Sequence, residues 1–208
     1  MASLRMNGVV IALAAGILIY LSPNFSTVLM VPFFKNISPH LGLGYIVFAV
    51  IVIVGTSNAV NLTDGLDGLA GGVSLVAAAA FAILSYFGGH LEFFLISLAL
   101  CGAIIGFLRF NWSPALVFMG DAGSTFLGFT IVWITLGITQ GPDRLISPVH
   151  CLWFAAIPIF DTLTCFVRRI SAGKSPFQPG RDHFHHTLKN GGMTNRQVLA
   201  VLALLQSI

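Results

Sequence analysis

Two carboxylates, Asp64 and Asp67, stand three residues apart in the stretch Asn58 to Gly72, where one apolar run ends and another begins. If the backbone there is helical, both side chains project from one face. Two like charges beside an apolar segment are costly unless a cation or a hydrogen-bond donor compensates them. The plainer reading is a helix start, with Asn61 or Thr63 capping the following run and the aspartates favoured by the positive end of its dipole. For one aspartate alone the two readings stand level. The pair comes with Asn58, Asn61 and the glycines Gly65, Gly68, Gly71 and Gly72, which let a ligand approach the backbone. That combination favours a binding site.

A third acid, Asp121, sits between Gly120 and Gly123 at the start of another apolar run. By itself it reads as a cap, and its interest lies in joining the other two. Mg2+ is typically held by one or two carboxylates, with water and substrate phosphates completing the shell. Acids at helix ends therefore suit a metal-bound diphosphate, with Mn2+ as a substitute ion. The polar stretch 168–196 holds Arg181, His183, His185 and His186, with Lys174 and Lys189 on either side. Zinc is a weaker reading of these histidines, because no neighbouring cysteine or carboxylate completes a tetrahedral set. A cationic loop on lipid headgroups accounts for the Lys and Arg but not for the clustered imidazoles. Phosphate binding and stabilisation of charge during phosphoryl transfer account for both. Asp161, about two turns ahead of Arg168, is an acid within an apolar run and a candidate of second rank, or a simple partner for Arg168 or Arg169. His40, His90 and His150 fall away from these groups and are read as incidental.

The elements that must position these residues follow from composition. The chain has 208 residues, 56% hydrophobic and only 8% charged, with mean hydropathy +0.92. Soluble domains carry roughly 25% charged residues, so this is an all-α, polytopic integral membrane protein. A span takes about 20 apolar residues. Six are expected: 6–21, 42–60, 69–87, 93–108, from the Asp121 segment to about 138, and 149–167. The segment 25–41, broken by Pro32, Lys35 and Pro39, suits the interface. The apolar end, 197–208, reads as the first part of a seventh helix, and the whole chain as a single domain. Cys101, Cys151 and Cys165 lie in or beside apolar runs without metal-like spacing and read as small core residues. The N-terminal run is read as a retained span, not a cleaved leader.

With alternating spans, Arg5, Arg109, Arg168, Arg169, Lys174, Arg181, Lys189 and Arg196 share one face, while Lys35 and Arg144 share the other. The richer face is cytoplasmic by the excess of positive charge. Asp64, Asp67, Asp121 and the histidine loop fall on it without having been used to assign it. No nucleic-acid partner is expected.

Together the segments 58–69, 117–124 and 181–186 resemble the polyprenyl-phosphate N-acetylhexosamine-1-phosphate transferase family. The resemblance covers most of the chain and keeps the family's motif order. Residues 31–72 look most like the phospho-MurNAc-pentapeptide translocase branch. Residues from 119 to about 204 look like the branch that transfers GlcNAc-1-phosphate to undecaprenyl phosphate. The histidine loop tips the reading to GlcNAc.

The resemblance implies Mg2+-dependent transfer of a sugar phosphate from a UDP-sugar to undecaprenyl phosphate. UMP is released, at the cytoplasmic side of a bacterial inner membrane, to begin an envelope glycan such as lipopolysaccharide or peptidoglycan. It implies Asp121 as metal ligand, with Asp64 and Asp67 contacting nucleotide or organising the metal. Phe118 would lie against the uracil, and Asn58, Asn61 and Asn111 would line the cleft. His183, His185, His186 and Arg181 would hold the sugar diphosphate. A homodimer is left open. The family carries an adjacent Asp-Asp pair ahead of the helix corresponding to 6–21, and this sequence has none. The expectation is therefore a partial chain, with an inactive fragment as one alternative and, further off, a cation or proton transporter using Asp64, Asp67, Asp121 and Asp161.

Overall fold

The computed structural model describes residues 2–21, 27, 28, 39–139, 146, 156–173, 175 and 183–206. The chain is helical, as its composition requires. Helices α1 (Ala2–Leu21), α2 (Gly44–Thr63), α3 (Leu69–Phe87), α4 (Leu91–Asn111) and α5 (Gly120–Thr139) are followed by α6 (Ala156–Ser171), α7 (Phe184–Asn190) and α8 (Asn195–Gln206). Outside the helices, the described residues include one isolated antiparallel bridge, Val28 to His40. The interfacial segment expected at 25–41 otherwise lies outside the described residues, as does the first part of the sixth expected span.

Helices α2 to α5 are each long and apolar enough to cross a membrane. At 1.5 Å per residue, about 20 residues match a hydrocarbon core of about 30 Å. Their outward faces carry large apolar side chains in the open, among them Val47, Ile51, Phe87 and Phe126, a pattern that lipid accommodates and water does not. Three hydroxyls of α5 turn back on their own helix: Thr130, Thr135 and Thr139 donate to the carbonyls of Phe126, Ile131 and Thr135. No polar hydrogen of theirs is then left facing hydrocarbon.

Three apolar clusters hold the helices together. Ala77, Ala78 and Phe81 of α3 meet Leu100, Ile104 and Leu108 of α4 and Leu127, Ile131 and Ile134 of α5. Ala12 and Ala15 of α1 meet Ile53 of α2 and Val132 and Leu136 of α5. Leu69 and Val73 of α3 receive Val198, Leu199 and Leu202 of α8. The α2–α5 crossing is close because of Gly128, where a Cβ would stand 2.7 Å from the Cα of Ser57. Such small-residue contacts let spanning helices approach without a hydrophobic driving force between them.

The short C-terminal helix is well specified. Gln197 Oε1 accepts the Thr194 N–H at 2.9 Å, and the Gln197 N–H donates to Thr194 Oγ1 at 3.3 Å, a reciprocal cap at the start of α8. At its other end Gln206 Oε1 accepts the Ile157 N–H at 3.0 Å, which fastens α8 to the start of α6. Through α8, the segment carrying the histidines is tied to α3, and so to the acidic turn ahead of it.

Candidate functional site

The connection between α2 and α3 is a tight turn, residues 64–68, and not a continued helix. Asp64 and Asp67 therefore do not share a helical face. Neither aspartate is the cap of α3. Gly68 holds that place at φ +77°, a left-handed backbone that side-chain-bearing residues rarely adopt. Thr63 is not a cap either, since its hydroxyl donates to the Ala59 carbonyl. The capping reading of this stretch does not describe the fold.

The turn is instead fixed from outside, by the α4–α5 connection. Asn111, only 3% exposed at the end of α4, accepts the Gly68 N–H at 2.8 Å on Oδ1 and donates from Nδ2 to the Val117 carbonyl at 2.8 Å. Asp67 Oδ2 accepts the Ala115 N–H at 3.2 Å. From α2, Asn61 Nδ2 donates to Ser124 Oγ at 2.7 Å and reaches Asp121 Oδ1 at 3.4 Å. The buried Ser124 hydroxyl donates in turn to the Gly120 carbonyl at 2.9 Å, locking the first turn of α5 that carries Asp121. Ser124, the last residue of the 117–124 segment, is thus a positioning residue.

These bonds bring Asp64 and Asp121 close enough to act on one another. Burial, reinforced by the neighbouring Asp121 carboxylate, pushes the Asp64 carboxyl up to about 6. Two carboxylates close enough to repel offer the kind of oxygen donors that a hard divalent cation favours. Asn58 is exposed, its amide turned onto the Val54 carbonyl, and the Phe118 ring is 74% exposed.

The histidine segment reaches the same end of the bundle. The His185 imidazole is 2% exposed and rests on the acidic turn: a Cβ on Gly65 would stand 2.6 Å from His185 Nε2. Gly65 is therefore required by close approach between Asp64 and Asp67. His185 Nε2 has no hydrogen-bond partner among the described residues. Its pKa is held down to about 4, by burial first and then by the neighbouring His186, so it is a neutral imidazole at cellular pH. The rings of His183 and His185 stack at 5.7 Å between centroids, and His186 lies 4.2 Å from His185. His183 turns away from the acids, with Nδ1 3.0 Å from Asp161 Oδ2 and 3.5 Å from Cys165 Sγ. Arg181 lies outside the described residues. Arg196 closes this side by donating to the Ser113 carbonyl at 3.2 Å.

The structure thus gathers Asn61, Asp64, Asp67, Asn111, Asp121 and His185 at one end of the bundle. His183 is joined to α6 instead. Residues 3–139 match the family model described as glycosyl transferase family 4. The chain belongs to that family. Among curated proteins it is 41% identical over 155 residues to the undecaprenyl-phosphate alpha-N-acetylglucosaminyl 1-phosphate transferase of Escherichia coli K12, covering 73% of this chain and 42% of that protein. The enzyme of the same name from Yersinia pestis is 42% identical over 171 residues, covering 79% and 46%. That from Haemophilus influenzae is 43% identical over 143 residues, covering 66% and 40%. The chain therefore spans less than half the length of these relatives.

Proposed function

We propose that this chain carries the cytoplasmic-face site of an enzyme that transfers GlcNAc-1-phosphate from UDP-GlcNAc to undecaprenyl phosphate, releasing UMP. The observation that carries the reading is the meeting of Asp64, Asp121, Asn61 and the neutral His185 at one end of a membrane bundle, although they come from three separate helix ends. The activity named for the three relatives supports GlcNAc over the MurNAc-pentapeptide alternative. The lipid bilayer of the bacterial inner membrane supplies the acceptor, whose phosphate lies at headgroup depth, and the cytosol supplies the donor.

Asp64 and Asp121, with Asn61 beside them, would hold Mg2+ or Mn2+, and the ion would offset diphosphate charge and stabilise the departing UMP. Asp67, tied to the Ala115 N–H, keeps the turn against the α4–α5 connection and so sets where Asp64 stands. The exposed ring of Phe118 offers a face for uracil, and Asn58 offers an amide at the cleft mouth. His185 Nε2 is a buried, unpaired imidazole nitrogen beside the acids, placed to take a hydrogen bond from a sugar hydroxyl or to orient one. His186 and Arg181 are assigned to the diphosphate, and His183 supports His185 by stacking on it.

The deciding experiment uses membranes containing the chain together with the portion of the E. coli relative that lies outside the match. Radiolabelled UDP-GlcNAc is expected to yield a lipid-linked sugar and UMP in equal amounts. If neither appears, while the intact E. coli enzyme works in the same membranes, the reading is wrong.

A further inference from the structure

The group formed by Asp161, Cys165 and His183 stands apart from the oxygen-lined cleft. Asp161 and Cys165 are four apart on α6 and so share a face of that helix. His183 comes down on them from the residue preceding α7. Their donor atoms, Oδ2, Sγ and Nδ1, all lie within 4.8 Å of one another. The side chains of His183 and Asp161 are 9% and 8% exposed, and Cys165 is 1% exposed. Asp161 Oδ1 is already taken by the Phe184 N–H at 2.6 Å, so Oδ2 is the oxygen turned to the group. An aspartate in an apolar helix, a thiol and an imidazole enclosed together form a mixed hard and soft donor set. The cysteine and carboxylate that the histidine run lacks in sequence are supplied by α6.

We propose that Asp161, Cys165 and His183 form a three-ligand site for a borderline-soft divalent cation of the Zn2+ type, separate from the Mg2+ of the cleft. Tetrahedral zinc bonds of about 2.0–2.3 Å place neighbouring donor atoms roughly 3.3–3.6 Å apart. The Sγ–Nδ1 distance of 3.5 Å and the Nδ1–Oδ2 distance of 3.0 Å lie near those edges. On binding, the Cys165 thiol releases its proton to solvent and the thiolate, the Asp161 carboxylate and the neutral His183 imidazole bond the ion. One thiolate and one carboxylate balance its two charges, and the fourth position is left to water or another donor. The ion fastens α7 to α6, and because His183 stacks on His185, it sets the imidazole that rests on Gly65. The inference does not depend on the transferase reading.

The test is made on the full chain, purified in detergent and stripped of metal, with Co2+ alone as the probe. One Co2+ per chain is expected, with a thiolate-to-cobalt charge-transfer band that excess Mg2+ leaves intact and Zn2+ abolishes. Asp161→Asn is expected to weaken Co2+ binding by about 10- to 100-fold or more, since even outer partners of metal ligands have effects of that size. Cys165→Ser and Cys165→Ala, checked for helix content by circular dichroism, are expected to lose the band. A chain carrying Cys101→Ser and Cys151→Ser, with Cys165 its only thiol, is expected to keep it. Absence of the band from the wild-type chain or from the chain whose only thiol is Cys165 overturns the proposal, as does its survival in either folded Cys165 variant. The last chain decides the matter even where the Cys165 variants fail to fold.

Discussion

The cleft and the α6 group use the same residue types to different ends. In the cleft, Asp64 and Asp121 stand close enough to repel, beside the Asn61 amide and with the His185 imidazole against the turn, and no thiol is among them. At α6, Asp161 is enclosed with a thiol and an imidazole, and its spare oxygen is spent on a backbone N–H. An aspartate in or beside an apolar helix thus carries no fixed meaning. Exposure and the hardness of its neighbours decide whether it suits a transient, substrate-shared ion or a retained one. The two groups are linked by stacked histidines, so each can be broken while the other is watched.

The largest effect is expected from Asp121→Asn. It keeps the size of the side chain and its contact with Asn61 but removes the charge that a metal-bound diphosphate requires. Initial rates of UMP release should fall by about 10²- to 10³-fold, the scale of losing one transition-state electrostatic contact. Asp161→Asn should cost no more than about tenfold, because it acts only through the placing of α7. Equal losses in the two variants would erase the distinction between the groups.

How much of this was legible beforehand depends on the range of the interaction. The apolar runs predicted α3 at Leu69–Phe87, and α2, α4 and α5 to within a few residues, because span length is set by membrane thickness. Asp64, Asp67, Asp121 and Asn61 were visible because acids and amides are rare in such a sequence, and Asn111 only through the family resemblance. The turn at 64–68 was less so: Gly68 signals a left-handed start, but only Asn111 arriving from α4 makes that turn the stable choice. The pairing of His183 with Cys165 was out of reach, since Cys165 in an apolar run is indistinguishable from core packing. The i, i+4 relation of Asp161 to Cys165 was the one local signal.

Next in size is Gly65→Ala. The added methyl would stand 2.6 Å from His185 Nε2, so either the turn or α7 must move, and the movement separates the acids from the imidazole. A loss of about 10²-fold in activity is expected, on the scale of a 1 Å misplacement of a reacting group. The control is Gly55→Ala in α2, where a Cβ meets nothing within 4 Å. There activity should be unchanged and helix stability should rise slightly, by about 0.5–1 kcal/mol. If Gly65→Ala is as silent as Gly55→Ala, His185 does not seat on the turn.

Asn111→Ala removes the side chain that satisfies the Gly68 N–H and the Val117 carbonyl together. Leaving buried groups unpaired costs about 1–3 kcal/mol each, so a fall of about 2 kcal/mol or more in stability is expected by thermal unfolding in detergent. Co2+ binding at Asp161, Cys165 and His183 should persist in the folded fraction, since that group makes no bond to Asn111. Loss of both together would mean that the two regions form one cooperative unit.

The smallest effect, and the sharpest in sign, is on pH. The Asp64 carboxyl is pushed up to about 6 by burial and by Asp121, so its charged form is disfavoured by the fold. Without a divalent ion, this group favours the folded state while protonated. That contribution is full below the ordinary carboxylate range near 3.8 and is lost as pH rises through about 6. A bound cation reverses the preference, because it bonds the carboxylate and competes with the proton. Mg2+-supported activity should therefore be level above pH 6 and fall by about tenfold per unit below it, as for a single competing proton. In Asp64→Asn that limb should vanish from the remaining activity. An acid limb that survives the substitution unchanged would transfer the titration to another group and remove the repelling pair from the account of the cleft.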